Sequence, residues 1–338
     1  MGDHIAFTLD LEADGEQPAG SLRHPSGQSQ RFWGWLELIE AVQSWLPQTT
    51  VSATAAPPSP VSLPEKGNPM NAAFQTVSSA DGTSIAVEHT GDGPPVILIG
   101  GAFNDRSTVA GLAAVLAPEF TAVTYDRRGR GDSGDTAPYA VEREIEDLAA
   151  VIAHAGGPAR VFGHSSGAVL ALEAAARGLD ISKVAAYEPT YVTEGTRPPP
   201  PDDLADRLRA LIDAGQRDEA AALFLAENAG MPAGVIDGMH GSPMWGWFTG
   251  LAHTLPYDVT LCGPGMRLPA DRFAAITVPV LAIGGGASPP WLPAAAQAVA
   301  DAVPGARYVT LDGQDHGVLQ QPGALRPLLT SHFGPGTA

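Results

Sequence analysis

A serine hydroxyl becomes a useful nucleophile near neutral pH only when an imidazole takes its proton, and a carboxylate must hold that imidazole in the right tautomer. The chain places residues of all three types at the ends of apolar runs. Gly163-His164-Ser165-Ser166-Gly167 follows the β-type run Arg160-Val161-Phe162 and opens the alanine- and leucine-rich helical run Ala168 to Arg177. Between a strand and a helix, G-x-S-x-G reads as a nucleophile elbow with Ser165 on the turn. Glycines two before and two after the serine allow a strained turn and close packing of helix on strand. With 39 glycines in the chain the pentapeptide alone is a weak signal, so its meaning depends on its partners.

Among nine histidines, His316 is the best placed base. It lies in Gly313-Gln314-Asp315-His316-Gly317, after the last apolar run Arg307 to Leu311, on a glycine-flanked loop able to reach the elbow. The competing reading is an ordinary loop histidine. His164 adjoins the serine, but successive residues of an elbow point in different directions, so it reads as structural. The remaining histidines form no H-E-x-x-H or paired-ligand spacing, so neither a metal nor a cofactor is implied. The oxyanion needs backbone N–H groups already aimed at it. Ser166, first residue of the helix, supplies one. The turn Gly100-Gly101-Ala102-Phe103, after the run Val96 to Ile99, supplies the N–H of Ala102 as the second; the plain alternative is a simple glycine turn.

The elements that must position these groups alternate strand and helix from Met70 onward. A hairpin-like pair, Phe74 to Ser78 and Thr83 to His89, precedes strands at Val96 to Ile99, Thr121 to Tyr125, Arg160 to Phe162, Lys183 to Tyr187, Pro279 to Ile283 and Arg307 to Leu311. Helices are expected over Thr108 to Leu116, Val141 to Ala155, Ala168 to Arg177 and Pro293 to Val303. Short apolar strands between amphipathic helices mean an α/β fold with a mostly parallel sheet covered on both faces, with chemistry at the carboxyl ends of its strands.

At this point the order of motifs resembles the α/β-hydrolase superfamily over nearly all of residues 72 to 335. The run Tyr125-Asp126-Arg127-Arg128-Gly129-Arg130-Gly131-Asp132-Ser133-Gly134 looks like that family's D-x-R-G-x-G-x-S loop, and the terminal G-x-D-H-G resembles its histidine loop. The resemblance implies a triad of serine, acid and histidine. Two departures stand out. Gly100 occupies the place of the family's usual histidine before the oxyanion glycine. The turn that usually carries the acid reads Gly285-Gly286-Ala287-Ser288-Pro289-Pro290, with Ser288 in the acid's place. A serine cannot hold an imidazolium by charge. Glu188, directly after Lys183 to Tyr187, is the expected replacement, since some members of the superfamily place the acid after this earlier strand. A structural Glu188, with Asp312 or Asp315 as the acid, is the other possibility.

Between Glu188 and Pro279 lies a run that the sheet does not need. Asp202 to Ala214 and Asp218 to Ala229 read as amphipathic helices, and Met244 to Leu255 is rich in aromatics. In the superfamily an insertion here forms a helical cap. Phe103, Trp245, Trp247, Phe248, Tyr257 and Trp291 are therefore expected pocket walls, or else residues that hold the cap to the core. The expected organisation is a small ββα-like piece over residues 1–46, a Pro/Ser/Ala-rich linker over 47–69, a core over 70–192 and 270–338, and a cap over 193–269. Met70 resembles a second start, and the leading piece is expected to be dispensable for chemistry.

Composition narrows the partners. A formal charge of −18 opposes nucleic-acid and anionic-membrane binding. One cysteine, Cys262, permits no intrachain disulfide, and the first thirty residues hold no apolar leader, which fits a cytoplasmic location. The expected activity is that of a serine esterase or lactonase on a small, apolar ester, with a small-molecule substrate as the implied partner. The alternatives are acyl transfer, perhydrolysis or C–C cleavage at the same site, or a small-molecule sensor with little turnover.

Overall fold

A computed structural model describes residues 8–12, 19–23, 29–33 and 74–334. The chain divides into two compact units, Met1–Pro69 and Met70–Ala338. In the first, β1 (Thr8–Glu12), β2 (Ala19–Arg23) and β3 (Ser29–Trp33) form an antiparallel sheet in the order β1-β2-β3. The ββα expectation thus lacked a strand. Trp33 ends β3 and pairs with Ala19. The rest of the expected helix, and the linker, lie outside the described residues.

The second unit is built on an eight-stranded sheet. Its strands are β4 (Gln75–Ser78), β5 (Ser84–Thr90), β6 (Pro95–Ile99), β7 (Thr121–Tyr125), β8 (Ala159–His164), β9 (Ile181–Tyr187), β10 (Val280–Gly285) and β11 (Arg307–Leu311). They lie in the order β11-β10-β9-β8-β6-β7-β5-β4. The pairs from β7 through β6, β8, β9 and β10 to β11 are parallel, and β5 runs antiparallel to both β4 and β7.

Alternate side chains of each strand enter opposite cores because the strand period is two. Ile97, Ile99, Val123 and Val161 pack with α2 (Val141–His154), α3 (Ser166–Ala176) and α10 (Trp291–Ala302). Val96, Leu98, Phe162 and Ile283 pack with α1 (Arg106–Leu116) and α11 (Arg326–Phe333) on the other face. Both faces of the sheet are thereby covered. Helix α3 runs through the interior, with Ser166 through Ala174 all buried.

Between β9 and β10 the chain leaves the sheet to form a helical insertion. It comprises α4 (Leu204–Asp213), α5 (Arg217–Leu223), a π-helical turn at Phe224–Asn228, α6 (Ala233–Met239), α7 (Pro243–Leu251), α8 (Leu255–Cys262) and α9 (Ala270–Phe273). Leu204, Leu208, Phe224, Trp245, Leu251 and Leu255 form its own apolar cluster, and Phe103 from the turn after β6 is buried among them. No helix of the described residues is long and apolar enough to cross a membrane.

Candidate active site

The carboxyl ends of β6, β8, β9 and β11 bring Gly101–Phe103, Ser165, Glu188 and His316 to one end of the sheet. Ser165 stands between β8 and α3 with φ 57° and ψ −125°, a backbone state that L-residues rarely adopt. Its N–H donates to the Tyr187 carbonyl at 3.0 Å, which ties the turn to β9. The flanking glycines are required by space. A Cβ on Gly163 would meet the Gly167 carbonyl oxygen at 2.3 Å, and one on Gly167 would meet the Ile99 oxygen at 2.5 Å.

Glu188 follows β9 directly and is fully buried, with φ 46°. Its Oε2 lies 2.6 Å from Nδ1 of His316, and its Oε1 accepts from the Gly285 N–H at 2.8 Å. The carboxylate therefore has one oxygen fixed by backbone and the other on the imidazole. Asp315, the sequence neighbour of His316, has Oδ1 occupied by the Gly317 N–H at 2.8 Å. His164 donates from Nε2 to the His316 carbonyl at 2.8 Å, and the two rings lie 4.7 Å apart between centroids. Burial first, and the neighbouring His316 second, push the His164 pKa down to about 3, so it stays neutral and braces the loop that carries His316.

The turn after β6 approaches the serine closely. A Cβ on Gly101 would meet Ser165 Cβ at 2.7 Å, so only glycine fits there. The Gly101 N–H donates to Asn104 Oδ1 at 2.8 Å, and a Cβ at Gly100 would meet Asn104 Cβ at 2.8 Å. With glycine at 100, the asparagine side chain folds across the turn and braces it. Phe103 takes φ 57°. Three of the four described non-glycine residues with positive φ, Phe103, Ser165 and Glu188, thus sit at this one place, the fourth being Met266. Strain of this kind persists where surrounding structure over-determines it. The Ser166 N–H, in the first turn of α3, has no acceptor within its own helix.

The expected pocket residues separate into two groups. Phe103 stacks on Phe248 at 4.2 Å between centroids, and the indole N–H of Trp247 donates to the Phe103 carbonyl at 2.7 Å. These three meet at the turn after β6. Trp245 is buried in the insertion and donates from its indole N–H to Asp218 at 2.7 Å. Tyr257 donates to Asp135 at 2.7 Å and stacks on Tyr139, fastening the insertion to the arginine-rich loop. Trp291 lies beneath the Arg197 guanidinium, 4.8 Å from the ring centre.

The order of strands, the antiparallel β5 and the elbow after β8 define the fold, and a model of the alpha/beta hydrolase family matches residues 89–328. The chain belongs to that family. A solved alpha/beta hydrolase from Sphaerobacter thermophilus is 53% identical to this hydrolase, with a TM-score of 0.73, and is covered in full by 77% of the present chain. The uncharacterized hydrolase YraK of Bacillus subtilis is 38% identical over 96 residues, a stretch spanning only 35% of that protein. A putative non-heme bromoperoxidase of Mycobacterium tuberculosis, BpoC, is 27% identical over 266 residues, or 74% of this chain and 97% of its own.

Sequence reasoning missed the buried charges beside this site. Arg127 grips Glu144 with a fork at 2.6 and 2.7 Å, and Arg130 grips Asp258, from α8, at 2.7 and 2.9 Å. Three arginines within four residues were the available signal. Nothing in the sequence singled out Asp258.

Proposed function

We propose that the chain is a serine hydrolase that cleaves small, apolar carboxylic esters or lactones through an acyl-enzyme on Ser165. The observation that carries this reading is the 2.6 Å contact between the buried Glu188 carboxylate and Nδ1 of His316. A carboxylate on Nδ1 fixes the proton there and leaves Nε2 free to act as the base. In this mechanism Ser165 Oγ attacks the carbonyl carbon as His316 Nε2 takes its proton. The tetrahedral oxyanion is met by the N–H groups of Ala102 and Ser166. His316 returns the proton to the departing alcohol oxygen, then draws a proton from water as its oxygen attacks the acyl carbon. Collapse of this second tetrahedral intermediate breaks the bond to Ser165 Oγ, which takes the proton back from His316 as the acid leaves. Glu188 stabilises the imidazolium. The insertion serves as the cap, and the apolar cluster of Phe103, Trp247 and Phe248 favours an uncharged acyl or alcohol group.

The name carried by BpoC favours one second reading: hydrogen peroxide replaces water in the second step, so that the acyl-enzyme leaves as a peracid. Intact-mass analysis after fluorophosphonate treatment, on wild type and Ser165→Ala, tests the nucleophile. p-Nitrophenyl esters of graded acyl length, with and without peroxide, then separate the two products. A single adduct lost in the alanine variant is expected. A folded wild type that forms no adduct and turns over no ester would leave a small-molecule sensor as the better reading.

A further inference from the structure

We propose that Asp258, contributed by α8 of the insertion, is a positioning residue that holds both donor peptides of the oxyanion hole. The inference rests on the acyl-enzyme reading above.

Asp258 is almost fully buried. Its Oδ1 accepts the Ser166 hydroxyl at 2.7 Å, on the residue whose backbone N–H is one proposed donor. Arg127 Nη1 adds bonds to the same Oδ1 at 2.9 Å and to Ser166 Oγ at 3.1 Å. Both Asp258 oxygens accept from Arg130 Nη2, and Nη1 of that guanidinium donates to the Gly101 carbonyl at 2.5 Å and to the Asn104 carbonyl at 3.3 Å. The Gly101 carbonyl and the Ala102 N–H belong to one planar peptide unit. Fixing the carbonyl therefore aims the N–H, and a charged donor on the oxygen polarises that N–H and strengthens it as a donor. One carboxylate thus reaches one donor through a hydroxyl and the other through an arginine.

The charges of the network balance, with Arg127 and Arg130 against Glu144 and Asp258. Burial raises the Asp258 carboxyl, but Arg130 and Arg127 outweigh it and hold it below the usual carboxylate range. A buried ion cluster is a poor way to gain stability alone, because apolar packing of the same volume does as well. Here its ends fall on the two peptides that must not move when charge develops. Phe103, buried in the insertion and held at its carbonyl by Trp247, grips the residue in between.

The test uses the full chain carrying Asp258→Asn or Ser166→Ala. Asparagine turns one acceptor into a donor, and alanine removes only the hydroxyl while keeping the Ser166 N–H. Loss of one oxyanion donor costs on the order of 10²–10³ in kcat, so a misaimed pair in Asp258→Asn should lower kcat by about 10–100-fold. KM should stay within about two-fold, because the hole acts on the transition state. The preference for an oxygen ester over its thionoester should fall alongside, since sulfur accepts the same donors weakly. Amide exchange in the peptide covering Gly100–Asn104 should quicken in both variants while β8 and β9 exchange as in wild type. Unchanged loop exchange in folded variants overturns the proposal, as does unchanged kcat in an enzyme that turns over esters. Should Asp258→Asn not fold, Ser166→Ala decides by the same readings. A wild type without Ser165-dependent turnover defeats the acyl-enzyme reading alone, because loop exchange still judges the clamp.

Discussion

Replacing Glu188 with glutamine isolates one step of the mechanism. Both carboxylate oxygens are committed, Oε1 to the Gly285 N–H and Oε2 to His316 Nδ1, and the glutamate itself is fully buried. An amide can serve only one of them with oxygen. If its oxygen stays on Gly285, its NH₂ faces Nδ1, which must then present a lone pair. The ring proton moves to Nε2, the atom that should receive the proton of Ser165. If the amide turns over, its NH₂ opposes the Gly285 N–H, and an unpaired buried donor costs about 1–3 kcal/mol. The first arrangement leaves folding intact and places the imidazole in the wrong tautomer. In serine triads that loss costs on the order of 10⁴ in rate, or about 5 kcal/mol of barrier. The assay is kcat on p-nitrophenyl acetate beside a thermal melt of the same sample. A kcat within about five-fold of wild type, at an unchanged melting temperature, would refute the role assigned to Glu188.

Further outcomes follow from the packing. Gly163→Ala drives a Cβ to 2.3 Å from a backbone oxygen, and should destabilise by about 1–3 kcal/mol, at the upper end of overpacking costs, in urea denaturation. Phe103→Ala empties a buried place in the insertion core and should cost about 3–5 kcal/mol, read in the same way, with no relief of the positive φ because alanine keeps the Cβ. His332 is buried with Nε2 on the Val184 carbonyl, and burial pushes its pKa down to about 4. The unfolded chain takes up that proton first, so stability present above about pH 6.5 is lost as pH falls toward 4. His332→Gln should flatten the acid limb of a melting-temperature profile; an unchanged slope would show that other groups set it. A chain shortened to begin at Met70 should keep kcat within about two-fold, because every group assigned to the chemistry lies in the second unit.

The sheet of the second unit was legible because short apolar runs separated by amphipathic ones have few other arrangements. Glu188 could be singled out as a candidate because the resemblance to the superfamily marked the turn where Ser288 stands in the acid's place and allowed an acid after an earlier strand. Its 2.6 Å approach to His316, against Asp312 or Asp315, could not be read from spacing. The final helix, α11, escaped notice because a proline and paired polar residues blur its apolar stripe. Strand β3 escaped because Ser-Gln-Arg carries no apolar alternation, while Trp33 fitted the spacing of the tryptophans that follow. The contacts of Asp258 in this cluster span 92 to 131 residues, and no local pattern encodes such a meeting.

The turn at Gly285–Pro290 carries no carboxylate, yet it holds the carboxylate of Glu188. Its first residue donates the N–H that fixes Glu188, while the Ser288 hydroxyl lies buried beside it with no hydrogen-bond partner among the described residues. In the triad proposed above, the acid stands at the end of β9 and its backbone support at the turn where the family resemblance would place the acid. A lineage passing from one arrangement to the other by losing the first acid before gaining the second would cross a nearly inactive enzyme. Gaining the second acid first places two carboxyls near one imidazole, and repulsion keeps one of them protonated and harmless. A doubly acidic chain is the passable route, and Ser288→Asp in this chain would make one.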